Sequence, residues 1–366
     1  MDPRVRKLAR LLLGYSLKLK KGQLLKIAGE IVTLPLINAA FEEAVKMGVN
    51  PYVEVILPEA REFMIKHGSR NQLTYVLPMA MVEINKIDAL LFIWGTQNTR
   101  YLSGSDPRRQ ALLQSARKRY MSRFFQRTAA GQMTWVGTQF PTQADAQQAG
   151  MSLSDYEDFV YKAGHLNSTD PVKHWKKVGK EQMRLKRILD RINKLQVRSA
   201  GTDLTMVVKG RKWISCHGTE NFPDGEIFTS PHDRTVEGRI SFSYPSIFQG
   251  REVTDVVLEF KKGKVVKEAA SRNLKFLREM LNVDKGARLV GEFAIGTNYG
   301  IKQFTGNTLF DEKIGGTCHL AVGAAIPEAG GRNKSALHWD MVCDLKKEGE
   351  IIGDGKVIYR NGRFTI

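Results

Sequence analysis

The first half of the chain alternates short apolar segments with longer amphipathic ones. Residues 23–28, 52–57 and 89–94 are rich in the residues typical of strands, whereas residues 36–47 and 59–68 have apolar residues at helical spacing. Longer helical patterns follow at residues 71–85 and 106–131. Strands that alternate with helices of this length indicate a parallel sheet with crossover helices. We therefore expect an α/β domain in this part of the chain.

The pattern changes after Gly201. Short β-rich segments at residues 204–208, 239–243, 253–260 and 264–268 are separated by Gly, Pro and Asp, and one helix is expected at residues 269–281. This arrangement is typical of a mostly antiparallel β domain with some helix (α+β). The sequence thus predicts an N-terminal α/β domain with basic helical segments over residues 1–190, and a C-terminal metal-binding catalytic domain over residues 191–366.

The chain is strongly basic, with 56 Lys and Arg against 38 Asp and Glu and a net charge of +18. Most of the excess lies in residues 100–127, with eight cations and one acid, and in residues 173–198, with ten cations and two acids. Such clusters are one sign of nucleic-acid binding, although solvated basic surfaces have the same composition. We expect no nucleic-acid partner, because the candidate metal-binding residues described below indicate a different function.

Cysteine usage and hydropathy bear on the location of the protein. The three cysteines are scattered, no C-x-x-C pair occurs, and no apolar run approaches the roughly 20 residues of a membrane span. The first residues also lack the apolar stretch of a signal peptide. The sequence therefore predicts a cytoplasmic protein with reduced thiols and no membrane partner.

Side chains of the types that bind metals occur in apolar or glycine-rich segments of the second half. They are Glu226, Glu292, His319, His338 and Asp340. On a strand, residues i and i+2 point to the same face, so His338 and Asp340 would converge. Each residue alone also fits an ordinary role: an exposed strand carboxylate, a buried core histidine, or an exposed ion pair.

Together, three carboxylates and two imidazoles match the requirements of a dinuclear centre. Such centres hold two ions about 3.5–4 Å apart, bridge them with a carboxylate and activate a water for hydrolysis. Mixed oxygen and nitrogen donors suit Zn²⁺, Co²⁺ or Mn²⁺ better than Ca²⁺. Nothing in the spacing alone shows that the five residues meet.

Four blocks of sequence carry a resemblance to a known family. The chain resembles the thermophilic metalloaminopeptidases of the aminopeptidase T and aminopeptidase S group, and the blocks occur in the same order at residues 201–205, 221–231, 306–323 and 333–341. The resemblance implies that Glu226, Glu292, His319, His338 and Asp340 are metal ligands, with Glu312 as a sixth candidate. It also implies two divalent ions (Zn, Co, Mn or Mg), peptide substrates and a homodimer.

The activity implied is a dinuclear metal-dependent aminopeptidase that cleaves N-terminal residues through a metal-bridging hydroxide, with Glu292 as the catalytic base. Two departures from the family occur. Residues 313–316 are an insertion that separates Glu312 from His319, and Ile326 stands where the family has a tyrosine able to stabilise the tetrahedral intermediate. His217 or Tyr299 could supply the missing donor. The alternative is a degenerate member that binds metal or peptide with weak or altered hydrolase activity.

Overall fold

The computed structural model describes residues 2–366, which form two compact units. The first unit ends at Val172 and also contains Gly218–Phe222, whereas the second consists of Lys173–His217 and Pro223–Ile366. The boundary predicted at residue 190 is one between domains that fold independently, and it stays a prediction.

The helices are given first, in chain order. They are α1 (Pro3–Leu11), α2 (Leu34–Lys46), α3 (Pro58–His67), α4 (Arg70–Thr74), α5 (Pro78–Lys86), α6 (Pro107–Ala116), α7 (Lys118–Ala129), α8 (Gln143–Gln148), α9 (Leu153–Ala163), α10 (Pro171–Leu189), α11 (Leu274–Leu281) and α12 (Thr308–Asp311). Within residues 2–366, no helix combines the length and the apolar character needed to cross a bilayer.

The strands are short in both units. They are β1 (Leu24–Glu30), β2 (Asn50–Ile56), β3 (Ala89–Trp94), β4 (Thr134–Gln139), β5 (Lys194–Ser199), β6 (Thr202–Val207), β7 (Ile214–Cys216), β8 (Asn221–Phe222), β9 (Glu226–Thr229), β10 (Glu237–Ser241), β11 (Ser246–Phe248), β12 (Arg251–Val253), β13 (Val257–Lys261), β14 (Lys264–Ala269), β15 (Val290–Gly296), β16 (Thr317–Gly323), β17 (His338–Asp344), β18 (Glu350–Gly353), β19 (Lys356–Arg360) and β20 (Arg363–Phe364).

The first unit is built on a parallel sheet, as the alternation of strands and helices predicts. Its strand order is β2-β1-β3-β4-β8, and every neighbouring pair is parallel. Strand β1, which lies between β2 and β3, is buried along most of its length because helices cover parallel sheets on both faces. The expectation of an N-terminal α/β domain is confirmed.

Three predicted helices differ from those observed. The pattern at residues 71–85 is divided into α4 and α5, because Leu77 precedes Pro78 and adopts an extended conformation (φ −62°, ψ 119°). The long helix at residues 106–131 is divided into α6 and α7 at Arg117. The helix predicted at residues 269–281 begins at Leu274, because the preceding Asn273 is left-handed (φ 58°).

The second unit contains two larger antiparallel sheets. One has the strand order β14-β13-β10-β6-β5-β18-β19-β20, and the other has the order β17-β16-β15-β9-β7. In the five-stranded sheet, β9, β15 and β16 are buried at every residue. This sheet packs into the main core with Trp213 and Trp339, and it carries the site described next.

Candidate metal centre

Adjacent strands of the five-stranded sheet bring the predicted side chains together. Glu226 begins β9, Glu292 lies on β15, His319 on β16, and both His338 and Asp340 on β17. These four strands are neighbours in the sheet. Glu226 and His319, which are 93 positions apart in the chain, thus come within 3.5 Å of each other.

Glu292 lies between the two histidines. Its Oε1 is 3.6 Å from Nε2 of His319, and its Oε2 is 3.4 Å from Nε2 of His338. The other carboxylates complete the group. Glu226 Oε2 lies 3.5 Å from His319 Nε2, and Asp340 Oδ2 lies 3.6 Å from His338 Nε2.

The donor atoms form two sets that share Glu292, each with atoms within 4.8 Å of one another. We call Glu226, Glu292 and His319 the inner half-site, and Glu292, His338 and Asp340 the outer half-site. The His319 side chain is 1% exposed and that of His338 is 34% exposed, so the outer half-site is the one open to solvent. A further set joins Glu312 to His319 and Asp340. All six predicted residues are therefore brought together.

Backbone carbonyls orient both imidazoles. Nδ1 of His319 lies 3.0 Å from the carbonyl of Glu312, and Nδ1 of His338 lies 2.8 Å from that of Ala324. A proton on Nδ1 would be donated to these carbonyls, which leaves each Nε2 lone pair directed at the carboxylates. This is the arrangement that a metal-binding histidine requires.

The carboxyl groups have unequal pKa values. Burial raises the pKa of Glu226 to about 8 and that of Asp340 to about 6. Burial also opposes ionisation of Glu292, but hydrogen bonds from His319 and His338 outweigh it and lower the pKa to about 2. Burial opposes charge on the imidazoles as well, yet the neighbouring carboxylates raise the pKa of both to about 10. Without metal, the cluster therefore retains protons that a divalent cation would displace.

Two buried oxygen atoms test whether these residues fit a metal. Glu226 Oε2 and Asp340 Oδ1 have no hydrogen-bond partner among residues 2–366. A buried polar atom left without a partner costs about 1–3 kcal/mol, so such atoms normally have a role. One of the two lies in each half-site, beside an available imidazole nitrogen. The donor set therefore fits one divalent cation in each half-site.

Close backbone packing positions the strand that bears Glu292. A Cβ added at Gly291 would lie 2.1 Å from the carbonyl oxygen of Ala324, the acceptor for His338. The Ser230 hydroxyl donates to the Gly291 carbonyl at 2.7 Å and accepts from the Ile326 amide at 3.1 Å. Gly291 thus allows the loop after β16 to lie directly against the strand that carries Glu292.

The position of the replaced tyrosine is apolar. Ile326 packs against a small cluster of Phe228, Ala294 and Ala329. Of the two predicted substitute donors, Tyr299 donates its hydroxyl to the carbonyl of Gly362 at 2.9 Å, and His217 Nδ1 lies 3.4 Å from the Ser215 hydroxyl. A role for either at the oxyanion stays a prediction.

Lys313 is the site residue that sequence reasoning missed. Its side chain is 0% exposed, its Nζ lies 3.6 Å from Glu226 Oε1, and it forms an ion pair with Glu312. The sequence contained a sign that Lys313 is buried beside a carboxylate, because Lys313 directly follows Glu312 and stands between the apolar residues Phe310 and Ile314. A lysine in such a segment needs a carboxylate partner when it is buried.

Comparison with known proteins gives consistent matches over the whole chain. The model of the thermophilic metalloprotease family (M29) matches residues 1–364. Aminopeptidase 2 of Geobacillus stearothermophilus is 26% identical, over 98% of this chain and 97% of that protein. Aminopeptidase T of Thermus aquaticus is 24% identical, over 98% of each. The structure of wild-type AmpT from Thermus thermophilus matches with a TM-score of 0.86 at 24% identity, over 99% of both chains, which shows the shared fold.

Proposed function

Because the chain belongs to the thermophilic metalloprotease family (M29), we propose that its grouped side chains form a two-metal centre that removes N-terminal residues from peptides. Its named relatives are aminopeptidases, and the chain is a metalloaminopeptidase, a hydrolase that requires a divalent metal. The observation that carries the finer proposal is the position of Glu292, which belongs to both half-sites.

We assign the ligands by half-site. Glu226 and His319 would hold one ion, His338 and Asp340 the other, and Glu292 would be shared. Glu312 is proposed as the sixth ligand, since its set joins His319 and Asp340. When bound, two divalent ions (Zn, Co, Mn or Mg) would polarise the scissile carbonyl and lower the pKa of a water beside them.

Glu292 is proposed as the proton carrier as well as the shared ligand. Its carboxylate is ionised at neutral pH and belongs to both half-sites, so it would accept a proton from the attacking water once the ions had lowered the pKa of that water. The same proton would then pass to the amine that leaves when the peptide C–N bond breaks. The exposure of His338 gives the peptide terminus access from the outer half-site.

His338→Ala tests the proposed function. We expect kcat/KM on amino-acid p-nitroanilides with added Co²⁺ or Zn²⁺ to fall by about 10²-fold or more, as removal of a group that stabilises the transition state does. His232→Ala is the matched control, because His232 lies away from the site and contacts the Lys209 carbonyl. Wild-type turnover by His338→Ala would refute the proposal.

The degenerate alternative has one observation in its favour. Ile326 has no polar group with which to stabilise an oxyanion, and its surroundings are apolar. Two metal ions per chain without turnover on a broad peptide panel would support this alternative. Efficient turnover of peptides by the wild-type protein would exclude it.

We propose a homodimer formed through the first unit. Leu34, Phe41 and Val45 are exposed along one face of α2, and Val53 and Val55 are exposed on β2. Strand β2 is at the edge of its sheet, where its outer side has no partner strand among residues 2–366. Contiguous exposed apolar residues of this kind mark protein interfaces.

We also propose a cytoplasmic location. Cys318 and Cys343 are free thiols. Cys318 and Cys343 stand directly opposite each other on β16 and β17, yet they are not bonded. Reduced neighbouring thiols are the usual state in the cytosol.

A further inference from the structure

Lys313 places a fixed positive charge against one half of the proposed metal centre. The side chain is wholly buried, and its ammonium group faces Glu226 Oε1 and Glu312 Oε1. Its amide donates to the Phe310 carbonyl at 3.0 Å, and its carbonyl accepts from the Asn298 amide at 3.0 Å. Because the backbone is anchored on both sides and the side chain is enclosed, the ammonium group has no route to solvent.

The charge is compensated by Glu226 and Glu312, two residues proposed to bind metal, and by the neighbouring Asp224. Burial opposes the charge, but these carboxylates outweigh it and hold the pKa of Lys313 well above its ordinary value. A buried charge of this kind is stable only when it is paired. Among residues 2–366, the ion pairs of Glu292 and Asp340 join them to His319 and His338 and to no lysine or arginine.

We infer that Lys313 makes the two half-sites unequal, so that a divalent cation binds the inner half-site more weakly than the outer one. The inference rests on the proposed two-metal function and adds to it the order of binding. At limiting metal the protein holds one ion, in the outer half-site. The second ion enters only at a higher concentration.

The physical basis is repulsion between like charges in a buried site. The ammonium group already neutralises Glu226, the carboxylate that distinguishes the inner half-site from the outer one. A divalent ion at Glu226 would also lie close to that ammonium group, where little water screens the repulsion. Both effects weaken the inner half-site. In the outer half-site the ion pairs of Asp340 are with histidines, so Lys313 acts there only through Glu312, the neighbour that both residues share.

The test is a metal titration rather than an activity measurement. Metal-free protein is titrated with Co²⁺ by calorimetry and by visible absorption, and bound metal is counted by elemental analysis. The wild-type protein should show two classes of site whose Kd values differ by tenfold or more. Lys313→Met should tighten the weaker class at least tenfold, which corresponds to about 1.4 kcal/mol, and should change the tighter class by less than that.

Two variants serve as controls. Lys302→Met removes an exposed lysine of the same unit and should leave both classes as they are. Lys313→Arg keeps the charge and should keep the two classes unequal. Two equal classes in the wild-type protein, or a Lys313→Met titration that matches wild type, would overturn the inference.

A second pair of variants covers the case in which Lys313→Met does not fold. Glu226→Gln should abolish the weaker class alone, and Asp340→Asn should abolish the tighter class. The reverse assignment would refute the inference while leaving the two-metal function intact. A wild-type protein that binds no Co²⁺ at all would instead refute the proposed function.

Discussion

At the scale of single residues, the centre depends most on Glu292. Its two oxygens face the two imidazoles at 3.6 and 3.4 Å, and it is the only one of the six grouped residues that belongs to both half-sites. It is also buried, so its charge must be matched by its partners within the cluster. A change at this position therefore affects both proposed ions together, whereas a change at Glu226 or Asp340 affects one.

The first prediction concerns Glu292→Gln, which keeps the size of the side chain and removes its charge. We expect the affinity of both half-sites for Co²⁺ to fall at least tenfold and turnover to be lost, since one charged ligand is removed from each. Metal content after dialysis and kcat are the measurements. Glu328→Gln, at an exposed surface position, is the control. Full metal content with lost turnover would instead mean that Glu292 serves only as the base.

The second prediction concerns the pH dependence of stability in the metal-free protein. His319 and His338 have an ordinary pKa of 6.5 and a folded pKa of about 10, so the stability they contribute is present below pH 6.5 and lost as the pH rises to 10. Glu226, raised from 4.5 to about 8, acts in the same direction over its own range.

Thermal unfolding in the presence of a chelator should therefore show a Tm that falls between pH 6.5 and 10. Excess Zn²⁺ or Co²⁺ should flatten this dependence, because the metal replaces the protons that hold the carboxylates together. A Tm that stays constant or rises over this range without metal would contradict the assignment.

At the scale of elements, the close approach of β15 to the loop after β16 supports the outer half-site. The loop contributes the Ala324 carbonyl that orients His338, and Ser230 links it to Gly291 through two hydrogen bonds. The geometry of His338 thus depends on contacts that lie outside its own strand.

The third prediction is that Gly291→Ala disturbs this contact. The added methyl group would meet the Ala324 carbonyl oxygen at 2.1 Å, and overpacking of this kind costs about 1–3 kcal/mol. We expect a lower free energy of unfolding and weaker Co²⁺ binding in the outer half-site. Gly104→Ala, where no atom lies within 4 Å of the added Cβ, is the control. Unchanged Co²⁺ binding by Gly291→Ala would show that this loop contact does not affect the metal centre.

At the scale of the whole molecule, part of the excess positive charge has a structural role. Arg127 donates to the carbonyls of Ile84, Ile87 and Gln132, and Arg109 donates to carbonyls on the segment that ends α3. These arginines join helices and loops within the first unit. A basic composition therefore does not by itself indicate a nucleic-acid site, and the predicted absence of such a partner stays a prediction.

The fourth prediction concerns assembly. Val53→Lys places a charge on the exposed apolar face of β2, so a dimer formed there should dissociate, and the mass measured by light scattering should halve. Val266→Lys changes another exposed valine, on β14 of the second unit, and should leave the mass unchanged. A wild-type monomer, or a Val53→Lys dimer, would contradict the proposed interface.

The sequence by itself determined the parallel α/β character of the first unit and five of the six residues that the second unit groups together, whereas Glu312 was implied by the family resemblance. Both follow from local patterns: the alternation of strands and helices, and the placement of Glu and His among strand-forming residues. The i, i+2 spacing of His338 and Asp340 predicted their convergence.

Only the tertiary structure decided how those residues are shared. Glu292 belongs to two half-sites because β15 lies between β9 and β16, and no local pattern specifies a strand order across long loops. The same holds for Lys313, whose proximity to Glu226 joins positions 87 residues apart. The ends of the predicted helices lie between these two cases. Pro78, which divides one helical pattern, was visible in the sequence, but the left-handed conformation of Asn273 depends on packing. The order and register of the strands, rather than composition, decide which charged side chains meet. Because these side chains are buried, each contact strongly affects the charges of its neighbours.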